Sequence, residues 1–332
     1  MITISQELSP EYNPETYLRI LSPALPENLL FYDIETTGLS PDRDEVYLIG
    51  AAVQKNDEYE YIGFFSESPE DEPSILSAFS ELCRDCLCMV MYNGTTFDHP
   101  FLAKRYALYG LPDPFSKKEI DLYKEYRPIK PLLGLKSMRQ SSLEAFTGTE
   151  RKYPDGKTGI TMYKAYRKDK DPIKQKMLTG HNIEDIEGLL SITKFSSYLQ
   201  YQHALFTCTD ATTENEQILF RVAASLPVPK PVLFTNKYVK IYIEEREAKV
   251  WIPTSAEKLR QYYPDYKNYD YIPAEDTAMT RSVSRFLDKS LRKAATPDTC
   301  YTWFTPGKTF FNDPDLQTKY LRQSLPIMLS FR

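Results

Sequence analysis

Two carboxylates that directly follow a short apolar run are the residues of this sequence best suited to chemistry. The run is Leu29 to Tyr32, and Asp33 and Glu35 follow it with one residue between them. If the run is a β-strand, alternate residues project from the same face, so both acids point to one place. Unpaired carboxylates at the edge of a buried sheet are costly to desolvate, and a divalent cation between them stabilises both. A solvated strand end is the alternative interpretation of this pair taken alone.

Two later segments add further groups of the same kind. Asp98 ends the segment Asn93-Gly94-Thr95-Thr96-Phe97-Asp98, and Asp185 ends the segment His181-Asn182-Ile183-Glu184-Asp185. Residues 181 and 185 are four apart, so on a helix their side chains lie on one face. Histidine has an unperturbed pKa of about 6.5 and is suited to taking a proton from water near neutrality. A purely structural histidine is the alternative.

With the Thr36-Thr37-Gly38-Leu39 that follows Glu35, these segments resemble, in this order, the three exonuclease motifs of the DEDD superfamily. The sequence is most similar to the YprB-like branch of bacterial ribonuclease-H-like proteins, over roughly residues 28 to 200. The resemblance continues between the second and third motifs, through Asp121-Leu122-Tyr123, residues 135 to 146 and residues 148 to 151.

The resemblance implies a 3'-5' exonuclease that hydrolyses phosphodiester bonds of single-stranded DNA or RNA. It implies four metal ligands, Asp33, Glu35, Asp98 and Asp185, which hold two ions of Mg²⁺ or Mn²⁺ for two-metal hydrolysis. His181 takes the place of the residue that orients or deprotonates the attacking water, with the three-residue spacing of the tyrosine-type subclass. The positions that surround the terminal nucleotide are Thr36, Thr37, Gly38, Leu39 and Asn93.

Two other functions use the same residues. One is a catalytically inactive nucleic-acid-binding or scaffold protein that retains the fold. Retention of four acids argues against it, because buried unpaired carboxylates are expensive and apolar or amide replacements would serve folding equally well. The other is an endonuclease with the same metals, which differs in how the substrate channel closes.

Composition indicates two domains and no membrane span. The chain has 332 residues, of which 42% are apolar, and we place the domains at residues 1–205 and 206–332. We expect a soluble protein that is not exported, because the first thirty residues show no leader and no apolar run reaches about 18 residues. Five cysteines make no even disulfide framework, which favours a reducing cytoplasm, and we expect mostly buried thiols rather than a zinc site.

Charge is distributed unevenly along the chain. The net charge is −5, but the segment from Lys117 to Lys176 has sixteen Lys or Arg against eight Asp or Glu. That segment carries +8 and the rest of the chain −13, so a polyanion such as nucleic acid can be held there. The sequence indicates no particular protein partner.

Hydrophobic patterning predicts the elements that position these residues. Strands are expected at 29–32, 46–53, 59–65 and 87–92, and helices around 75–82 and 97–106, in the order β-β-β-α-β-α. Residues from Met162 towards Tyr201 predict a long closing helix. We therefore expect an α/β fold, with a ribonuclease-H-like mixed sheet flanked by helices, followed by a smaller α+β C-terminal domain.

The C-terminal domain contains a predicted β-hairpin at 239–252 and a tyrosine-rich stretch at 262–271. The tyrosines form either a stacking platform for single-stranded bases or a core or interface. A helix is predicted at 277–295, with Asp276 as its N-cap. On that helix Arg281, Arg285, Lys289 and Arg292 make one basic stripe, and we expect Arg281, Arg285 and Lys289 to bind the substrate strand. A solvated charged face is the alternative.

Overall fold

The computed structural model describes residues 1–55, 58–153 and 156–331. Contacts divide the chain into two compact units, one comprising Met1–Arg127 and Ser137–Lys194 and the other Pro128–Lys136 and Phe195–Arg332. The twelve α-helices of the described residues are α1 (Pro14–Leu18), α2 (Glu72–Leu82), α3 (Asp98–Tyr109), α4 (Leu122–Tyr126), α5 (Lys130–Leu133), α6 (Gln140–Phe146), α7 (Gly156–Asp169), α8 (Pro172–Ile192), α9 (Ser196–Gln202), α10 (Arg281–Ser284), α11 (Lys308–Phe311) and α12 (Pro314–Ser330).

A mixed six-stranded sheet forms the centre of the first unit. Its strands are β1 (Ile2–Leu8), β2 (Leu29–Thr36), β3 (Val46–Lys55), β4 (Glu58–Phe65), β5 (Cys88–Met91) and β6 (Lys118–Asp121), in the spatial order β1-β4-β3-β2-β5-β6. Strands β1 to β4 pair antiparallel, whereas β2 with β5 and β5 with β6 pair parallel. The predicted α/β fold with a ribonuclease-H-like mixed sheet is confirmed. The polar residues 54–58 predict a turn between the second and third predicted strands, and residues 56 and 57 of that turn lie outside the described residues.

Helices cover both faces of this sheet. On one face Leu30, Tyr32 and Ile34 of β2 are buried with apolar residues of α2 and α3. On the other face Tyr47 and Phe65 pack with residues of α7 and α8. Because side chains alternate along a strand, Asp33 and Glu35 belong to the face opposite Ile34.

The predicted order of elements from residue 29 to residue 109 is confirmed. Two edge strands, β1 and β6, were not predicted from the sequence. The prolines of the first thirty residues predict irregular structure there, yet Ile2–Leu8 pairs with β4. The segment Lys118–Asp121 pairs with β5 although half of its residues are exposed or half-buried, so it lacks an apolar run. The predicted long closing helix is divided into α7, α8 and α9, with Pro172 at the start of α8. Proline is favoured in the first turn of a helix, where its missing N–H is not needed.

The second unit contains ten strands in the described residues. A five-stranded sheet in the order β7-β8-β11-β10-β9 includes the predicted hairpin, and smaller sheets have the orders β12-β16 and β14-β13-β15. The strands are β7 (Phe206–Glu214), β8 (Gln217–Ala224), β9 (Val232–Thr235), β10 (Lys240–Glu244), β11 (Glu247–Pro253), β12 (Leu259–Tyr262), β13 (Tyr269–Ile272), β14 (Thr277–Thr280), β15 (Lys293–Ala294) and β16 (Tyr301–Phe304). The sequence places the domain boundary after residue 205, whereas this division groups α9 with the C-terminal residues.

The predicted helix at 277–295 is wrong. Thr277–Thr280 forms β14 and pairs with β13, and the only α-helical turn within this segment is Arg281–Ser284. Asp288 accepts a hydrogen bond from the N–H of Ser290 at 2.8 Å, a local bond of the kind that competes with helix formation. Asp276 is not a helix cap, since its carboxylate accepts from the hydroxyl of Tyr271 at 2.5 Å.

Two other expectations concern buried side chains. All five cysteines are free and buried, as predicted. The tyrosines of the 262–271 stretch are packing residues: Tyr263 and Tyr269 stack with centroids 5.3 Å apart and pack beside a small core at Cys300.

In the described residues no helix has the length and apolarity to cross a membrane.

Candidate metal centre

Strand β2 presents the first two acids towards α8, and a side chain of α8 and one of β3 hold them. The Asp33 carboxylate accepts a hydrogen bond from the Asn182 amide at 2.9 Å, and Asn182 in turn accepts from the hydroxyl of Tyr61 at 2.8 Å. The Glu35 carboxylate accepts from the hydroxyl of Tyr47 at 3.2 Å. Sequence reasoning missed these three partners, because buried hydrogen-bonding tyrosines and asparagines have no spacing signature.

Asp98 is the first residue of α3, and its position depends on the loop before that helix. Asp121, at the end of β6, accepts from the backbone N–H groups of Asn93 at 2.7 Å and Thr95 at 3.3 Å. The loop places Asp98 beside β2, where its carboxylate accepts a hydrogen bond from the backbone N–H of Ile34 at 3.2 Å. A carboxylate in the first turn of a helix is also favoured by the helix dipole.

Helix α8 contributes the remaining two predicted groups from one face. The Nε2 atom of His181 lies 3.2 Å from a carboxylate oxygen of Asp185 and 3.4 Å from one of Glu35. The histidine Nδ1 is buried and has no hydrogen-bond partner in the described part of the chain. The structure thus brings together all five residues predicted for the catalytic centre, with His181 Nε2 directed at the carboxylates.

The environment of these acids disfavours their ionised forms. Burial raises the pKa of Glu35 to about 8 and the pKa of Asp98 to about 7, and nearby carboxylates add to both shifts. The pKa of Asp33 lies well above its ordinary value because of burial, followed by the charges of Asp185, Asp98 and Glu35. Burial also raises the pKa of Asp185, although the charges of His181 and Arg151 oppose the shift. The centre therefore gains stability from added positive charge.

Arg151 supplies one positive charge that the motifs did not identify. Its guanidinium lies 2.6 Å from the Asp185 carboxylate and makes two contacts with the buried Glu144, at 2.6 Å and 2.9 Å. Gln140 donates to both Glu144 at 3.0 Å and the backbone carbonyl of Asp185 at 2.7 Å. A Cβ at Gly188 would lie 2.0 Å from a Glu144 oxygen, so this helix position admits only glycine without rearrangement. The excess of basic residues at 117–176 was the available signal for Arg151.

The residues expected around a terminal nucleotide divide into two groups. The hydroxyl of Thr36 donates to the carbonyl of Gly38 at 2.7 Å, and the hydroxyl of Thr37 accepts from the N–H of Glu45 at 2.9 Å, so both threonines shape the loop after β2. Leu39, by contrast, is 79% exposed, and Asn93 lies half-buried with a φ of 63°. Leu39, Asn93 and the half-buried Gly38 have surface available for a ligand.

The basic residues of the C-terminal unit have separate roles. Arg281, Arg285 and Lys289 are all exposed, and the Nε of Arg281 lies 3.4 Å from the carboxylate of Asp270. Without the predicted helix, they do not form one stripe.

The donor set fits divalent cations that prefer oxygen ligands. Glu35, His181 and Asp185 each offer a ligand atom, and these atoms lie within 4.8 Å of one another. Asp33 and Asp98 add carboxylates to the same centre, as their mutual effects on pKa show. Buried carboxylates whose ionised forms are destabilised are stabilised by Mg²⁺ or Mn²⁺, which carboxylate oxygens select over softer metals.

Comparison with known proteins identifies the family of the first unit. A segment of the DNA polymerase III PolC-type of Ureaplasma parvum serovar 3 is 30% identical over 125 residues, which is 31% of this chain and 8% of that protein. The family B DNA polymerase of Pyrobaculum calidifontis matches with 20% identity and a TM-score of 0.44, over 55% of this chain and 26% of that one. Exonuclease I of Methylocaldum szegediense matches with 16% identity and a TM-score of 0.32, over 63% and 54%. The family model of the RNase_H superfamily matches residues 30–196, half of the sequence, and the chain belongs to that superfamily.

Proposed function

We propose that this chain is a metal-dependent 3'-5' exonuclease that hydrolyses phosphodiester bonds of single-stranded DNA or RNA. The observation that carries the proposal is the convergence of Asp33, Glu35, Asp98 and Asp185 with His181 in one buried centre. A fold does not require four clustered acids with raised pKa values, because apolar or amide side chains would cost less to bury.

Each acid would act as a metal ligand held by a specific partner. Asn182 orients Asp33, Tyr47 orients Glu35, the N–H of Ile34 orients Asp98 and Arg151 orients Asp185. When bound, two Mg²⁺ or Mn²⁺ ions would activate the attacking water and stabilise the departing oxygen. His181 Nε2 faces the carboxylates and would accept the proton of that water.

Substrate contacts are proposed at the loop after β2 and at the loop before α3. Thr36, Thr37 and Gly38 shape the first loop, and the exposed Leu39 would pack against the terminal base. Asn93 would contact the same nucleotide. The sequence resemblance to the YprB-like branch of the DEDD superfamily supports these contacts and the 3'-5' direction.

Incubation with end-labelled DNA and RNA oligonucleotides tests the proposal. We expect a ladder that shortens from the 3' end in Mg²⁺ or Mn²⁺, no cleavage in excess chelator, and no cleavage by a folded Asp185→Asn variant. The matched control is Glu187→Gln, which removes an exposed acid from the same helix and should leave cleavage unchanged.

Three outcomes would count against the proposal. Internal cuts of a circular single strand would indicate an endonuclease. Oligonucleotide binding without cleavage under any metal condition would indicate an inactive binding or scaffold protein. Undiminished cleavage by the Asp185→Asn variant would exclude the proposed centre.

A further inference from the structure

A loop of the C-terminal unit is anchored at both of its ends to one strand. Strands β14 and β15 both pair with β13, one with each edge, and the loop of residues 281–292 connects them. We call this segment the basic loop. Its residues 281–292 contain four Lys or Arg and one Asp, which is a net charge of +3.

The base of the basic loop is held by a buried carboxylate of β13. Asp270 accepts hydrogen bonds from the hydroxyl of Ser284 at 2.6 Å and from the guanidinium of Arg292 at 2.7 Å. The Nε of Arg281 lies 3.4 Å from its other oxygen. Asp270 is 7% exposed, and its contacts with residues 281, 284 and 292 hold both ends of the basic loop and restrict its conformation. Two of the four arginines and lysines on the predicted stripe are therefore structural.

The outer side of the basic loop presents apolar and basic residues together. Phe286 is 78% exposed, and Val283 and Leu291 are more than half exposed. The guanidinium of Arg285 lies 4.8 Å from the centroid of the Phe286 ring, and Lys289 is exposed. Three large apolar side chains exposed within nine residues and interleaved with cations favour a binding surface, because grouped exposed apolar residues beside polar ones are characteristic of such surfaces.

The chemistry of this surface fits single-stranded nucleic acid. Such binding combines cations that contact the phosphate backbone with an aromatic ring on which an unpaired base stacks. The ring of Phe286 and the charges of Arg285 and Lys289 supply both components within five residues. A surface for an apolar protein partner would have its centre depleted of charge, whereas here cations separate the apolar residues.

We propose that the basic loop is a preorganised single-strand-binding site, distinct from the metal centre. In it Phe286 stacks on a base, Arg285 and Lys289 contact phosphates, and Asp270 with Arg281 and Arg292 maintains the shape of the loop. The inference rests on the proposed function only for the class of ligand.

Binding to fluorescein-labelled dT20 and U20 tests this site without catalysis. Fluorescence anisotropy is measured on the full-length Asp185→Asn protein in chelator, between about 50 and 300 mM salt. Neutralising Arg285 and Lys289 together should lower the slope of log affinity against log salt by about 1.4, from about 0.7 per phosphate contact. Phe286→Ala should weaken binding roughly five- to hundredfold and leave that slope unchanged, as expected for loss of one stacked base.

Matched controls use exposed residues of the same unit. Lys308→Ala with Lys319→Ala removes two exposed charges, and Leu233→Ala removes an exposed apolar side chain; neither change should alter binding. Asp270→Asn should make the basic loop more susceptible to trypsin. Unchanged trypsin susceptibility would contradict the role of Asp270 in restraining the basic loop.

Equal affinity and equal salt slope in the loop variants and the parent would overturn the inference. Loop-dependent binding to phosphatidylserine vesicles in place of either oligonucleotide would overturn it too, and would assign the loop to membranes. Neither result bears on the nuclease, whose test is cleavage in metal. Conversely, absence of cleavage by the wild-type protein does not change what these binding measurements say about the basic loop.

Discussion

Replacing Glu35 with glutamine should stabilise the metal-free protein at alkaline pH. The pKa of Glu35 rises from 4.5 to about 8 on folding, because the carboxyl is buried and lies near other acids. Between these values the folded state binds more protons than the unfolded state, so the free energy of unfolding decreases as pH rises through this window. A pKa shift of this size lowers the free energy of unfolding by roughly 3 to 5 kcal/mol once the buried carboxyl is ionised.

Glutamine keeps the shape of the side chain and can still accept the hydrogen bond of Tyr47, but it carries no charge. At pH 8.5 in chelator, the variant should therefore gain stability and unfold at least about 5 °C higher, at roughly 2 to 4 °C per kcal/mol for a unit of this size. At pH 5 the carboxyl of the folded wild type is protonated, and most of the gain should disappear. In Mg²⁺ or Mn²⁺ the order should reverse, because the wild type retains the ligand that binds the ion.

Differential scanning calorimetry and circular dichroism measure this effect. Both tryptophans, Trp251 and Trp303, belong to the C-terminal unit, so their fluorescence monitors a part of the chain that the substitution does not touch. Glu144→Gln is the matched control, since this buried acid is paired with Arg151 and its neutralisation should lower the unfolding temperature. An unfolding temperature of Glu35→Gln at or below that of wild type at pH 8.5, or an equal gain at pH 5, would refute the reasoning.

Three other substitutions test single contacts. His181→Ala should lower turnover by about 10² to 10⁴ while metal still raises the unfolding temperature, and a rate within a few-fold of wild type would assign proton transfer to another group. Arg151→Ala leaves a buried glutamate uncompensated and should cost about 3 kcal/mol by denaturant unfolding; a neutral result would contradict the ion pair. Gly50→Ala would place a Cβ 1.7 Å from the Asn182 amide oxygen and should reduce both stability and cleavage, whereas Gly307→Ala, with nothing within 4 Å, should change neither.

The predictable part of the fold depends on local patterns. The apolar runs of β2 to β5 and the helical spacing of Ile75, Leu76 and Phe79 identify elements because burial on one side repeats with the period of the element. Hydrophobic periodicity does not reveal the edge strands, because β1 and β6 have few buried side chains and obtain their regular structure from pairing with a neighbouring strand. The wrong helix prediction at 277–295 has the same origin. The segment has helical spacing of its apolar residues, but Thr277–Thr280 pairs with β13 as a strand instead.

By itself, the sequence placed Asp33 beside Glu35 and His181 beside Asp185, because a strand or helix period is enough for each pair, whereas Asp98 joined them only through the resemblance to the DEDD motifs. Only the tertiary structure decided how these groups are held and how strongly their ionisation is disfavoured. The contacts of Asn182 with Asp33 and of Arg151 with Asp185 join residues separated along the chain. Desolvation depends on everything that surrounds a side chain, so the pKa shifts of the acids arise when α8 packs on the sheet, and no local spacing encodes them.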